Sequence, residues 1–309
     1  MYAKLLAATL ALTVTACATP AENEAQVAPV EAAVAIPADQ KAFLNTCKAW
    51  DEWDKPAPPF KVFGNTYHVG TCGISAILIT GDKGHVLIDS GTRKGAEVVA
   101  GNIKQLGFKL SDVEIMLHSH EHFDHVGGFA WMQGQTGAEI MASLPATEVL
   151  KSGVVAANDP QHDTHEPMAP VTVGGPIWGG TEIGLGDIKI RAIETLGHSP
   201  GALSWAWQEC TYRCENILYA DSLSPVSRDD YKFSDHPEYL AKYRAGLARI
   251  AQQGCEILLT PHPSHSKMIK RMNAGKLIQN APGETPCKDY AAGKLMDIEQ
   301  RLIKETKSP

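Results

Sequence analysis

The sequence predicts an α/β fold in which two β-sheets pack face to face and helices cover their outer surfaces. Short runs rich in β-branched and apolar residues recur along the chain, with turn signals between them. Segments of helical periodicity stand among these runs without strictly alternating with them, the pattern of stacked sheets with helices outside. Three of the runs stop at loops that carry histidine, which places those side chains at the rim of a sheet.

Residues 60–69 alternate around Gly64-Asn65, a hairpin signal. Residues 74–80 and 85–89 are β-rich runs separated by Gly81-Asp82-Lys83-Gly84, a second tight turn. Residues 94–106 read as a helix, with Val98, Val99, Ile103 and Leu106 near one face. The apolar strand 113–117 follows, and 138–142, 188–193, 203–208, 217–220 and 257–260 are further strands. Residues 237–252 form a helix whose Leu240, Tyr243, Leu247 and Ile250 make one stripe, and 288–304 a closing helix. The polar, Gly- and Pro-rich stretch from 152 to 180 reads as a long loop, often a lid or binding element in a compact domain.

Residues 1–16 read as an export signal, with Lys4 followed by an apolar run too short to span a membrane. Val14-Thr15-Ala16-Cys17 resembles the bacterial lipobox, in which Cys17 is lipidated and begins the mature chain. Ordinary cleavage near Ala16 or Ala18 would instead leave a soluble protein. Residues 17–40, with Pro20, Pro29 and Pro37 among Ala, Glu and Val, form a flexible tether. Residues 41–305, about 265 of them, are then one domain. The expected location is the periplasm, with a membrane contact only through the lipid anchor. A formal charge of −7 and no basic stripe argue against a nucleic-acid partner.

Apart from Cys17, six cysteines remain: Cys47, Cys72, Cys210, Cys214, Cys255 and Cys287. An even set in an oxidising compartment suggests disulfides, and the sequence alone allows 15 pairings. Cys210 and Cys214 are near enough in sequence to close a small hairpin loop. None of the six lies in the histidine run, so a Cys-ligated structural zinc is the weaker reading.

Residues 118–125 read His-Ser-His-Glu-His-Phe-Asp-His and contain His120-x-His122-x-Asp124-His125. Imidazole and carboxylate at this density are costly to desolvate together unless a cation ties them down. An adventitious His-rich tract would lack both the Asp and the flanking strand and Val126-Gly127-Gly128. His198, in Leu196-Gly197-His198-Ser199-Pro200-Gly201, and His262, in Thr260-Pro261-His262-Pro263, stand at similar strand ends.

With these motifs the chain resembles the metallo-β-lactamase superfamily, and most of all the class B β-lactamases of the third subclass. The resemblance covers most of residues 45–305, including Gly70-Thr71-Cys72-Gly73 and Tyr219-Ala220-Asp221-Ser222-Leu223-Ser224. It implies an αββα sandwich of two mixed sheets with helices on the outer faces and a dinuclear zinc site at the sheet edge. Carried over by position, His120, His122 and His198 would hold the first zinc, and Asp124, His125 and His262 the second. The first subclass usually has Arg after the motif Asp and a later Cys ligand, and the second has Asn where His120 stands. Neither departure occurs here.

The implied activity is hydrolysis of the amide bond of β-lactam antibiotics (penicillins, cephalosporins and carbapenems), which confers resistance. Zinc can lower the pKa of bound water from about 15.7 to about 7, so a zinc-bound hydroxide is the implied nucleophile and Asp124 would orient it. Ser222 and Ser224 match the pair that helps bind the substrate carboxylate, although two turn hydroxyls after a strand would look the same. Cys255–Cys287 matches a bridge common in the subclass, and Cys47–Cys72 and Cys210–Cys214 resemble additional bridges of some members. The partner expected is a small-molecule β-lactam, acted on by a monomer. The same scaffold carries thioester and lactone hydrolases in which an Asp near this point bridges two metals. Asp221 therefore keeps that alternative open beside a supporting or turn-stabilising role.

The remaining candidates have plainer readings. His118 is read as packed behind the site and not as a ligand. His162 and His165, in the long loop, are candidates for substrate contact, while His265, after Pro263-Ser264, reads as loop exposure or else as lining the pocket. His68, His85 and His236 read as structural or solvent-facing. Trp50 and Trp53 precede the first strand as either a pocket wall or plain packing.

Overall fold

The computed structural model describes residues 35–278 and 285–307. The signal segment 1–16, Cys17 and the tether up to residue 34 lie outside the described residues. The end of the stretch read as tether is ordered differently, because helix α1 already begins at Ala38 and runs to Thr46.

Two mixed sheets form the body of the fold. The first contains, in spatial order, β1 (Phe60–Phe63), β2 (Thr66–His68), β3 (Ile77–Gly81), β4 (Gly84–Ile88), β5 (Val113–Leu117), β6 (Glu139–Ser143) and β7 (Val173–Ile177). β1 to β4 run antiparallel as hairpins, and β4 to β7 run parallel. The second sheet has β8 (Glu182–Leu185), β9 (Ile188–Glu194), β10 (Leu203–Cys210) and β11 (Cys214–Tyr219) as antiparallel neighbours. β12 (Ile257–Leu259) closes it parallel to β11.

Side-chain alternation, with its period of two, sorts the apolar residues into three layers. Ile77, Ile79, Val86 and Ile88 of the first sheet meet Ile188, Ile190, Trp205 and Tyr219 of the second in the central core. Leu78, Leu87, Met116 and Ile140 point the other way, into a layer with α2 (Gly95–Gln105), α4 (Phe129–Thr136) and α5 (Leu144–Ser152). Ile193, Leu218 and Leu258 of the second sheet face α6 (Pro237–Ala251) and α8 (Pro286–Glu305). The αββα sandwich follows directly from this sorting. Two short helices complete it, α3 (Phe123–Val126) at the rim and α7 (Met268–Asn273) after β12.

Two elements depart from the sequence reading of 152–180 as loop. Val173–Ile177, Val-Gly-Gly-Pro-Ile, pairs with β6 as the edge strand β7. Its glycines and Pro176 hide a strand signal, and proline is tolerated at an edge where one side of the backbone has no ladder to join. Helix α5 ends at Ser152, after the hydroxyl of Ser143 has capped its start by accepting from Ala146 N–H. The true loop is residues 153–172.

Disulfides fasten the periphery. Cys47–Cys72 ties the end of α1 to the loop before β3, and Cys210–Cys214 closes the β10–β11 hairpin. Cys255–Cys287 joins the approach to β12 to the start of α8. The far end of α8 is held by Glu305, buried, which accepts from Phe233 N–H (3.0 Å), Ser234 N–H (2.9 Å) and Arg301 Nε (2.7 Å). Burial alone would raise its pKa, but these donors outweigh burial and hold the carboxyl below its ordinary value.

A group with a depressed folded pKa stabilises above its unfolded pKa, and that stability is lost as pH falls through the folded value. Glu305→Gln is expected to cost about 2 kcal/mol at neutral pH. The gap should close on acidification below the ordinary glutamate range. Urea unfolding at the two pH values checks it, and a pH-independent difference would contradict the assignment.

Candidate metal centre

Because β4 and β5 are parallel, as are β11 and β12, their carboxyl ends open on common edges of the two sheets, where loops carry chemistry. Cross-sheet hydrogen bonds lock the loops together. Trp205 Nε1–H, from β10, donates to His118 O at 2.8 Å, and Leu203 N–H donates to Ser119 O at 2.7 Å. Ser75 N–H donates to Pro261 O at 2.7 Å, tying the approach to β3 to the histidine loop after β12. The Gly-His-Ser-Pro-Gly turn is fastened to the histidine run by Glu121, which accepts from Ser199 Oγ (2.6 Å) and Gly201 N–H (2.7 Å). Gly197 is required there, since a Cβ would lie 2.3 Å from the Tyr243 ring.

Most imidazoles of the cluster set one nitrogen against an oxygen acceptor and turn the other toward their neighbours. His120 Nδ1 is 2.9 Å from Asp221 Oδ1, and His122 Nε2 is 3.1 Å from Asp159 Oδ2. His198 Nδ1 donates to Ser224 O at 2.9 Å, and His125 Nδ1 faces Asp89 Oδ2 at 3.6 Å. The Gly73 backbone partners His262. A carboxylate or carbonyl oxygen only accepts, so in His120, His122 and His198 the rear nitrogen carries the hydrogen and, in the neutral ring, the front nitrogen presents a lone pair.

The front atoms fall into two groups. His120, His122 and His198 each offer a ligand atom within 4.8 Å of the others. Asp124 Oδ2 lies 3.1 Å from His125 Nε2 and 3.3 Å from His262 Nε2, and those two nitrogens are 3.3 Å apart. His120, Asp124 and His125 also lie within 4.8 Å of one another, so the groups adjoin.

A cation fits this donor set. His120 Nε2 is buried with no hydrogen-bond partner, and burial and then the neighbouring His125, His198 and His122 push its pKa far down. Burial and His122 do the same to His198. Burial works against ionisation of Asp124, yet His125 and the hydrogen bonds from His125 and His262 hold it well below the carboxylate range. Against burial, Asp124 and Asp89 raise the pKa of His125 to about 10, and Asp159 raises that of His122. Imidazole nitrogens and an ionised carboxylate thus converge in a buried place, a donor set that divalent zinc fits. The Gln161 amide Nε2 sits 3.5 Å from His122 Nδ1 and 3.4 Å from His198 Nε2, a donor aimed at the lone pairs a metal would take.

The other candidates are distributed unevenly. His118 is fully buried, its Nε2 accepting from Ser143 N–H at 3.1 Å and its Nδ1 unpartnered, so it packs behind the loop. Asp221 is turned to the rear of His120, and burial raises its pKa to about 7. Ser222 is fully buried with its Oγ unpartnered, while Ser224 keeps 8 % of its surface exposed. His165 lies at the cluster, its ring 5.2 Å from that of His122, whereas His162 turns to Val155 O. Trp53 stands 5.9 Å from the His262 ring, and Trp50 is exposed.

Sequence reading missed Asp89, Asp159, Glu121 and Gln161. Asp89 also accepts from Ser119 N–H (2.7 Å) and Tyr219 OH (2.8 Å), and sits in the left-handed region at φ 62°. Such strain in a non-glycine residue concentrates at functional sites. Nothing local marks these residues, because each acts on a partner distant in sequence or hidden within a loop.

Residues 69–212 match the family profile of the metallo-β-lactamase superfamily. The solved MIM-2 metallo-β-lactamase is 50 % identical over 87 % of this chain and 98 % of its own, with a TM-score of 0.83. The MIM-1 metallo-β-lactamase of Novosphingobium pentaromativorans is 44 % identical over 86 % and 98 %, with a TM-score of 0.82. MEM-A1, a subclass B3 metallo-β-lactamase from a soil metagenome library, is 35 % identical over 83 % and 99 %, with a TM-score of 0.79. Weaker similarity reaches curated hydroxyacylglutathione hydrolases. That of Maricaulis maris is 27 % identical over 34 % of this chain, and that of Anaeromyxobacter dehalogenans 25 % over 48 %. These alignments span only 32 % and 47 % of those relatives' own length.

Asp159→Asn is expected to weaken metal affinity about 10–100-fold by freeing the His122 ring. His118→Ala should leave metal content at the wild-type value. Competition with a chromogenic chelator measures both, and metal loss in the His118 variant would place that ring among the ligands.

Proposed function

This chain belongs to the metallo-β-lactamase superfamily, and from that premise we propose that it is a zinc-dependent β-lactamase that hydrolyses the amide bond of penicillins, cephalosporins and carbapenems. The observation that carries the reading is the pair of adjoining ligand groups, His120/His122/His198 and Asp124/His125/His262, on a chain similar at 35–50 % identity to named metallo-β-lactamases. In this reading each group would hold one zinc ion. Bound zinc would supply a Lewis acid and make water acidic enough to ionise near neutral pH.

The chain's own residues do the rest. Asp124 keeps Oδ2 among the imidazoles of His125 and His262, leaving Oδ1 to accept a hydrogen bond from the attacking water and orient it. Asp221 and Asp159 orient the His120 and His122 rings, and the Asp89 carboxylate faces His125, while charge develops. Ser224, which keeps 8 % of its surface exposed against none for Ser222, donates to the substrate carboxylate, and Ser222 belongs to the same turn. Phe123, Trp53 and His165 pack around the cluster and limit water at the reacting bond. No serine nucleophile is needed.

The thioester or lactone alternative draws on an Asp221 that bridges metals. Here Asp221 Oδ1 faces the rear nitrogen of His120 and Oδ2 accepts from Leu223 N–H, which favours the lactam reading.

Zinc-loaded protein is expected to turn over a chromogenic cephalosporin and a carbapenem. A chelator should abolish this, and Asp124→Ala should lower kcat at least 100-fold. Ser224→Ala should mainly raise KM. Faster turnover of lactoyl-glutathione or an acyl-homoserine lactone than of any β-lactam would reverse the assignment.

The proposal includes export by residues 1–16, a lipid on Cys17, a tether and a monomeric catalytic domain facing the periplasm. Three disulfides support an oxidising compartment. Cys17→Ala should move the protein from the membrane to the soluble fraction. An unchanged distribution would argue for ordinary signal cleavage.

A further inference from the structure

Helix α8 places a buried cation beneath the turn that carries Ser222 and Ser224. Lys294 keeps only 8 % of its surface exposed, and its Nζ donates to Ser224 Oγ at 2.8 Å. Its counter-charges are Asp297, whose Oδ2 stands 3.7 Å away with half of that side chain in water, and the field of Asp221. The face of the Tyr290 ring lies 5.6 Å from Nζ. Tyr290 is one helical turn before Lys294, and its OH donates to Asp221 O (2.8 Å) and Ser222 O (2.7 Å). One face of α8 thus fixes the backbone of the turn and sets an ammonium against its last hydroxyl. A buried ammonium with so little compensation is costly to keep for packing alone.

The hydroxyl of Ser224 is poised by this contact. One lone pair receives the Lys294 N–H, so the O–H must point elsewhere, and its bond to Ser222 O is long at 3.2 Å. The carbonyl of the same residue accepts from His198 Nδ1, which ties the turn to the metal cluster. Accepting from a cation polarises a hydroxyl and strengthens it as a donor. Leu223, in the left-handed region at φ 46°, is held by its N–H to Asp221 Oδ2 (3.2 Å) and its carbonyl to Tyr243 OH (2.6 Å), so the turn cannot easily relax.

We propose that Lys294 is the positioning residue for an anionic substrate group: acting through Ser224, its charge aims and strengthens the hydroxyl that receives the β-lactam carboxylate. The proposal rests on the lactamase reading and assigns the recognition of the acid to a cation on α8.

The test uses a cephalosporin and its methyl ester as substrates of the zinc-loaded full chain. Wild-type enzyme should favour the acid in kcat/KM. Lys294→Met should lower the acid-to-ester ratio about tenfold, through KM of the acid. Lys294→Arg should retain most of the ratio. If the Met variant fails to fold, Lys294→Gln, which keeps length and a donor without charge, reads the same ratio. In a Ser224→Ala background the Lys294 substitution should have little further effect on it. A Lys294 that merely props the turn would slow acid and ester alike, and an unchanged ratio overturns the proposal. Wild-type protein that hydrolyses neither compound would instead fell the lactamase reading, and this proposal with it.

Discussion

An imidazole has two nitrogens, and the site depends on settling which of them carries the hydrogen. Asp221, Asp159 and Asp89 stand behind His120, His122 and His125, and the carbonyl of Ser224 stands behind His198. With the rear nitrogens of His120, His122 and His198 committed, their front nitrogens converge on one buried space, and Asp124 stands between the front nitrogens of His125 and His262. That arrangement is unfavourable without a cation and favourable with one. The metal centre is therefore built as much by these acceptors as by the ligands.

The acceptors come from separate parts of the fold, and the sandwich brings them together. Asp89 follows β4, Asp221 follows β11 on the opposite sheet, and Asp159 lies in the 153–172 loop. Tyr219 and Trp205, both fully buried in the inter-sheet core, span the gap with hydrogen bonds to Asp89 and to the carbonyl of His118. Core packing and site geometry are thereby one network.

Much of the framework was legible locally. The alternation of Ile77, Leu78 and Ile79 announces a strand with apolar contacts on both faces, and the stripe on 237–252 announces a helix. The edge strand 173–177 escaped because glycine and proline dilute the period that marks a strand. In the site, the six side chains whose front atoms converge could be named because they sit beside turn residues at strand ends. Asp159, Glu121 and Gln161 could not, since each is an ordinary polar residue until its partner 37 to 80 positions away is known.

By itself the sequence determined the most strongly periodic strands and helices, the faces they bury, and a run too dense in ligands to stand without a metal. Those are properties of period, composition and short spacing. The tertiary structure alone decided which nitrogen of each histidine faces forward, that Asp221 supports a ring, and that Lys294 lies under Ser224. Such choices depend on contacts between atoms far apart along the chain, and distance in space cannot be read from order in sequence.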